Sequence, residues 1–133
     1  STINDVVEQI QANQDKMAPL FEPLRKAIDA DQLAEYDRET YEDTQVVFRE
    51  GTAQYQKLLT RLQQVAVPAR LAGPHRTLVH DFAAFTATCE AMTASLKPDL
   101  EVDVPAFNAS EKAQDETIQK FTKQIQKISL ILQ

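Results

Sequence analysis

YEDTQVVFREGTAQYQKLLTRLQQV, residues 41–65, steps through its mostly apolar positions in alternating strides of three and four. Tyr41, Thr44, Phe48, Gly51, Tyr55, Leu58, Leu62 and Val65 mark the stride. Residues so spaced share one face of an α-helix, whereas a strand would need a period of two. Working outward, the same rhythm recurs three times. Ile3, Val7, Ile10, Gln14, Met17, Phe21, Leu24 and Ile28 precede it. Leu71, His75, Leu78, Phe82, Phe85, Cys89, Met92 and Leu96 follow, and then Phe107, Glu111, Gln114, Ile118, Phe121, Ile125, Ile128 and Leu132. Four apolar faces joined by short connections predict an all-α, antiparallel, up-down-up-down four-helix bundle over residues 1–133.

The 133 residues fit one domain, large enough to bury a core without staples. One cysteine, Cys89, excludes an internal disulfide framework and a cysteine-rich zinc site. A net charge of −6 argues against nucleic acid as partner, because phosphate binding needs clustered Lys and Arg. No apolar run approaches the roughly 20 residues of a membrane span. Ser1 rather than Met at the start suggests a processed chain or one whose beginning is missing.

Breakers set the expected boundaries. Thr2 or Asn4 is an acceptable first cap. Pro19 and Pro23 each cost about 3 kcal/mol in a helix interior, so the first helix is expected to kink or break near them. Asp31 is the expected cap of the second helix, which should run to about Val67, with a register adjustment between Tyr36 and Tyr41. Pro68 ends it, and the third helix should start between Ala69 and Pro74 and end near Leu96. Residues 97–105 predict an extended segment over a groove, and Asn108 with Glu111 a capping pair for the fourth helix.

The exceptions on the seams are the candidate sites. Counting from the turns sets Gly51 opposite Phe85, and brings Gln14, Thr44, Cys89 and Gln114 to one level as a polar core layer. Such a layer fixes register through hydrogen bonds, or binds a ligand. His75 should be a partly exposed structural histidine level with Leu62 and Ile128. His80 is five residues on, about 140° round the helix, so the two cannot chelate one ion. Among the sequence motifs there is no Glu-x-x-His pair, haem-attachment site, phosphate loop or nucleophile elbow. No cofactor, metal or catalytic residue is therefore expected. Phosphotransfer through His80 is disfavoured by Asp81 and the lack of a nearby lysine. Cys89 on the core face, with Glu90 beside it, reads as a small hydrophobe. The whole net charge sits between residues 29 and 43, where Asp31, Glu35, Glu39 and Asp43 make an i, i+4 stripe. With Tyr36 and Tyr41 alongside, that stripe is a candidate surface for a basic protein or a cell-envelope component.

Val67-Pro68, followed by Pro74-His75-Arg76-Thr77-Leu78-Val79-His80-Asp81-Phe82, resembles helical domains of uncharacterised extracytoplasmic proteins and lipoproteins of Gram-positive bacteria. The resemblance implies a secreted or membrane-anchored protein and carries over no catalytic residue. The expectation is thus a non-enzymatic interaction or cell-surface module outside the cytoplasm. The runner-up is a small-ligand carrier using the core around Gln14, Cys89, Gln114 and Phe85.

Overall fold

The computed structural model describes residues 2–132 and is an all-α bundle of four long helices. They are α1 (Thr2–Asp29), α2 (Arg38–Gln64), α3 (Ala72–Ser95) and α4 (Val104–Leu132). The Thr2 side chain lies outside the described residues, and Asn4 is already inside α1 rather than capping it.

Helix α1 is unbroken, with both prolines inside it. Pro19 and Pro23 are exposed and one turn apart. The carbonyls they deprive of a partner belong to Asp15 and Pro19, also exposed, where water can accept the role. The end of α1 corrects the expected cap. Asp31 has φ 55°, its N–H donates to the Ile28 carbonyl, and that of Gln32 donates to Ala27 at 2.8 Å. This pair of bonds closes a helix C-terminus, so Asp31 ends α1 instead of starting α2.

Leu33–Glu35 then form a separate 3-10 turn, so Leu33 and Tyr36 precede α2 and lie outside its register. Asp37 is the actual cap of α2: its carboxylate accepts from the Thr40 N–H at 2.9 Å and the Thr40 hydroxyl at 2.7 Å. The helix stops at Gln64, three residues early, because the backbone is already extended at Val65. A 3-10 turn, Ala69–Leu71, leads into α3.

Two further expectations change at the other end. The connection after α3 folds back on itself as a two-stranded hairpin, β1 (Leu96–Lys97) against β2 (Glu101–Val102), with Leu96 paired to Val102. Asp99 and Leu100 turn it with φ near 61° and 62°. The buried Tyr41 hydroxyl shares its proton between the carbonyls of Lys97 at 2.6 Å and Glu101 at 2.9 Å, pinning the hairpin to the bundle. Asp103, not Asn108, caps α4 by accepting from the Ala106 N–H at 3.1 Å. Pro105 fits the first turn, where its missing donor costs nothing.

The buried apolar residues fall into two clusters. One joins Val6, Ile10, Tyr55, Leu58, Leu62, Leu78, Phe82, Phe85 and Phe121. Its rings meet edge-on, with Tyr55 and Phe85 at 5.1 Å, tilted, with Phe82 and Phe121 at 5.2 Å, or stacked, with Phe82 and Phe85 at 6.0 Å. The other, near the hairpin, joins Leu24, Ile28, Tyr41, Phe48, Met92, Leu96 and Phe107. Met17 packs against both. His75 belongs to the first end and is buried rather than partly exposed. Its Nε2 lies 2.8 Å from the Leu62 carbonyl in the last turn of α2, which otherwise accepts only the long 3.4 Å bond from the Val65 N–H, so Nε2 carries the proton.

Gly51 does not face Phe85. A methyl group there would come 2.5 Å from the Met17 sulfur, so the missing side chain makes room for a thioether from α1. Asn13, one turn earlier, is buried and donates to the Gly51 carbonyl at 2.9 Å. The inward face of α1 is thus wider than the seven-residue seam, taking in Val6 and Asn13 as well as Ile10.

Candidate functional site: a cleft between the first and last helices

Helices α1 with α2, α2 with α3, and α3 with α4 pack along one another, whereas α1 and α4 meet sparsely. The link between those two near the hairpin is a side-chain cluster. Phe21 and Phe107 rings lie 5.7 Å apart, and the Arg25 guanidinium sits 4.9 Å over Phe107 and 3.2 Å from the Glu111 carboxylate. Arg25 is also held by Asp29 at 2.6 Å. Glu111 is therefore an ion-pair partner across the α1–α4 gap, not part of a helix cap.

Beside this cluster, where the two apolar clusters part, the bundle contains an open cleft of about 420 Å³. Its floor is Phe48 and Tyr55 from α2 with Phe85, Cys89 and Met92 from α3. Met17 and Phe21 close its α1 side. Its rim is polar: Gln11, Gln14, Asp15 and Glu22 on α1, and Glu111, Gln114 and Asp115 on α4. The volume lies within the range of about 300–1,000 Å³ usual for small-molecule sites.

The proposed polar layer is thus partly dispersed. Gln14, Cys89 and Gln114 border this one cleft. Thr44 does not: it is buried one level away and gives its hydroxyl to the Thr40 carbonyl at 2.7 Å. No hydrogen-bonded layer joins the other three either. Gln114 points its amide at the Met92 sulfur, 3.4 Å away. Cys89 is an inert wall: burial pushes its thiol up to about 12, with the Glu90 charge adding and a hydrogen bond with Thr88 opposing.

The floor holds one unsatisfied group. Tyr55 is fully buried, and its hydroxyl completes no hydrogen bond. Burial is the main cause that drives its acidity far below that of a free phenol, with the sulfur of Cys89 and the carboxylate of Asp15 contributing. The Asn13 amide, one of whose two N–H groups donates to Gly51, is near enough to favour the ionised form slightly. Leaving a buried hydroxyl unpaired costs about 1–3 kcal/mol.

The acidic stretch is rearranged. Asp31 ends α1, Glu35 lies in the 3-10 turn, and Glu39 and Asp43 begin α2, so the four make no continuous helical stripe. All four are exposed. The tyrosines beside them turn inward: Tyr41 is buried, and Tyr36 is half-buried with its hydroxyl enclosed. His80 is exposed on the outer face of α3. A second hollow, on the outer side of α1 and α2, is lined by Gln9, Lys16, Glu50 and Gln54 and shares Met17 with the cleft. It lacks an aromatic floor. Among the described residues, no group of three or more His, Cys, Asp or Glu is placed to hold a metal ion, and no helix is long and apolar enough to cross a membrane.

The counting that found Gln14, Cys89 and Gln114 missed Met17, Phe21, Tyr55 and Met92, which read as ordinary core. The available signal was the pair of glutamines on the first and last seams, at positions where leucines would close those helices together. No protein-family model, curated protein or solved structure matches the chain.

Proposed function

We propose that the protein is a small-ligand-binding module that houses a compact organic molecule in the cleft between α1 and α4. The observation that carries this reading is the cleft itself, with an apolar floor and convergent polar groups at one level of the bundle. A scaffold would close that level with leucines. Burial keeps the cysteine on the cleft wall protonated, so it serves there as packing surface. The acidic surface around Glu39 and Asp43 supports an interaction role less well, because its tyrosines are committed to the core.

Blocking the cleft tests this. Ala18 is exposed and lies on the α1 wall, so Ala18→Trp fills the mouth without disturbing either apolar cluster. A panel of small amines, acids and neutral aromatics is screened by thermal shift. Bound ligand raises the midpoint in proportion to RT ln(1 + [L]/Kd). The expected result is stabilisation of the parent by at least one class and its loss in Ala18→Trp. Stabilisation that survives the variant, or a parent that responds to none, rejects the site.

A further inference from the structure

The charges around the cleft select among ligands. Among the described residues lining it there are four carboxylates, Asp15, Glu22, Glu111 and Asp115, and no lysine, arginine or histidine. Glu111 alone of these is neutralised by a salt bridge, through Arg25. Asp15 accepts a hydrogen bond from Gln11 at 3.0 Å, which is uncharged, so its negative charge stays uncompensated. An open cleft walled by low-dielectric rings concentrates such a field at its mouth. An anion entering it meets repulsion from both α1 and α4.

The floor points the same way. The faces of aromatic rings are negative and attract cations, and thioethers are soft and polarisable. Phe21, Phe48, Tyr55 and Phe85 supply rings, and Met17 and Met92 supply thioethers. Tyr55 adds a ring to that floor, while its hydroxyl is enclosed with the Asn13 amide beside it and offers no contact to a molecule in the open cleft.

Resting on the small-ligand reading, we propose that the occupant is an organic cation with an apolar, aromatic-sized body. The body lies on Phe85, Phe48 and the two methionines. The ammonium group faces Asp15 and Asp115 from opposite helices. Glu22 adds charge at the mouth, and the Phe21–Phe107–Arg25 cluster closes the end.

Three naphthalene probes of equal body and different charge test it: 1-naphthylmethylamine, 1-naphthalenemethanol and 1-naphthoate. The parent chain has no tryptophan, so probe fluorescence is read without background from indole, and binding to Ala18→Trp is read by thermal shift instead. The amine is expected to bind at least about tenfold tighter than the alcohol, with the acid weakest, and the preference should shrink between 20 mM and 500 mM salt. Asp15→Asn with Asp115→Asn should erase the preference while the alcohol binds as before. Equal binding of all three probes, or tighter binding of the acid, overturns the cation proposal and leaves the cleft reading standing. A preference unchanged in the double aspartate variant also overturns it. Failure of all three probes, or binding undiminished in Ala18→Trp, overturns both.

Discussion

Gly51→Ala isolates the packing that defines the cleft's α1 wall. An alanine methyl would lie 2.5 Å from the Met17 sulfur, 3.1 Å from its terminal carbon and 3.3 Å from its γ-carbon. The first distance is untenable, so the thioether has to move. The helix itself gains about 1 kcal/mol from replacing a mid-helix glycine. Moving a side chain out of a relaxed rotamer costs about 0.5–1.5 kcal/mol, and overpacking typically costs about 1–3 kcal/mol. Met17 is half-buried and unbranched, with an open cleft beside it, so the lower part of that range applies, at about 1–2 kcal/mol. The two effects nearly offset, and Gly51→Ala should destabilise by no more than about 1 kcal/mol. A double-mutant cycle exposes what the single value hides. In a Met17→Ala background the obstruction is gone, and Gly51→Ala should stabilise by about 1 kcal/mol. The coupling is then about 1–2 kcal/mol, and Phe85→Leu, paired with Gly51→Ala, should show none. Urea unfolding followed by circular dichroism measures each corner. An equal effect of Gly51→Ala with and without Met17, or coupling to Phe85 instead, refutes the assigned contact.

Other outcomes follow from single groups. Tyr41→Phe removes the donor shared by the Lys97 and Glu101 carbonyls, leaving Lys97 the longer Gln45 contact at 3.5 Å, and should cost about 1–3 kcal/mol, with faster hydrogen exchange at the hairpin amides. Asp37→Ala removes the α2 cap and should lower the thermal midpoint at neutral pH. Hydrogen bonds from Thr40 depress the Asp37 pKa, so its contribution is present above the ordinary carboxylate range and fades as pH falls through the depressed value. The variant's deficit should narrow accordingly in an acid titration. Cys89, raised to about 12, should resist thiol reagents at pH 8 and react in denaturant. Its contribution is full below the free thiol's range and lost as pH rises toward 12, so Cys89→Ala should blunt the alkaline loss of stability. Tyr55→Phe removes an unpaired hydroxyl, so the empty protein should melt no lower than the parent, and up to about 1–3 kcal/mol of stability is available. A clear loss of stability would mean that the hydroxyl already has a partner.

The fold was readable because a three-four stride survives every local exception. Pro19 and Pro23 interrupt the backbone of α1 but not its buried face, where Leu24 and Ile28 keep the rhythm. What the stride could not give was the exact ends. Asp31 and Asp37 are the same residue type six positions apart, and either can cap a helix. Only the left-handed backbone at Asp31 separates them, and that depends on how α1 meets the 3-10 turn. The hairpin was missed for a related reason. Each of its strands has two residues, too few to show alternation, and Tyr41, from a distant helix, anchors it. The cleft was half visible. Gln14, Cys89 and Gln114 stand out as polar or small positions on apolar seams, whereas Tyr55, Phe85 and Met92 look like any core residue. Counting along helices gives level to within a turn, an error large enough to pair Gly51 with Phe85 rather than Met17.

The cleft and the two apolar clusters are one design. A bundle with glutamines on facing seams cannot draw α1 and α4 together at that level without enclosing two amides, which need partners when buried. Gln14 and Gln114 remain half-buried instead, with solvent on one side. Stability has to come from elsewhere, and it does: nine-tenths-buried aromatic and aliphatic side chains fill both ends, with the hairpin sealing one and His75 tying α2 to α3 at the other. Between them the floor keeps large rings rather than small residues, so the opening is not a packing failure that neighbours could collapse to fill. Met17 shows how the wall is set. It touches both clusters, and the glycine opposite it admits the thioether into α2 instead of forcing it across the cleft. A side chain at position 51 would push that sulfur toward the space we assign to the ligand. On this argument Gly51 sets the volume of the cleft rather than the flexibility of the helix, even though it lies on the opposite side of Met17 from the opening.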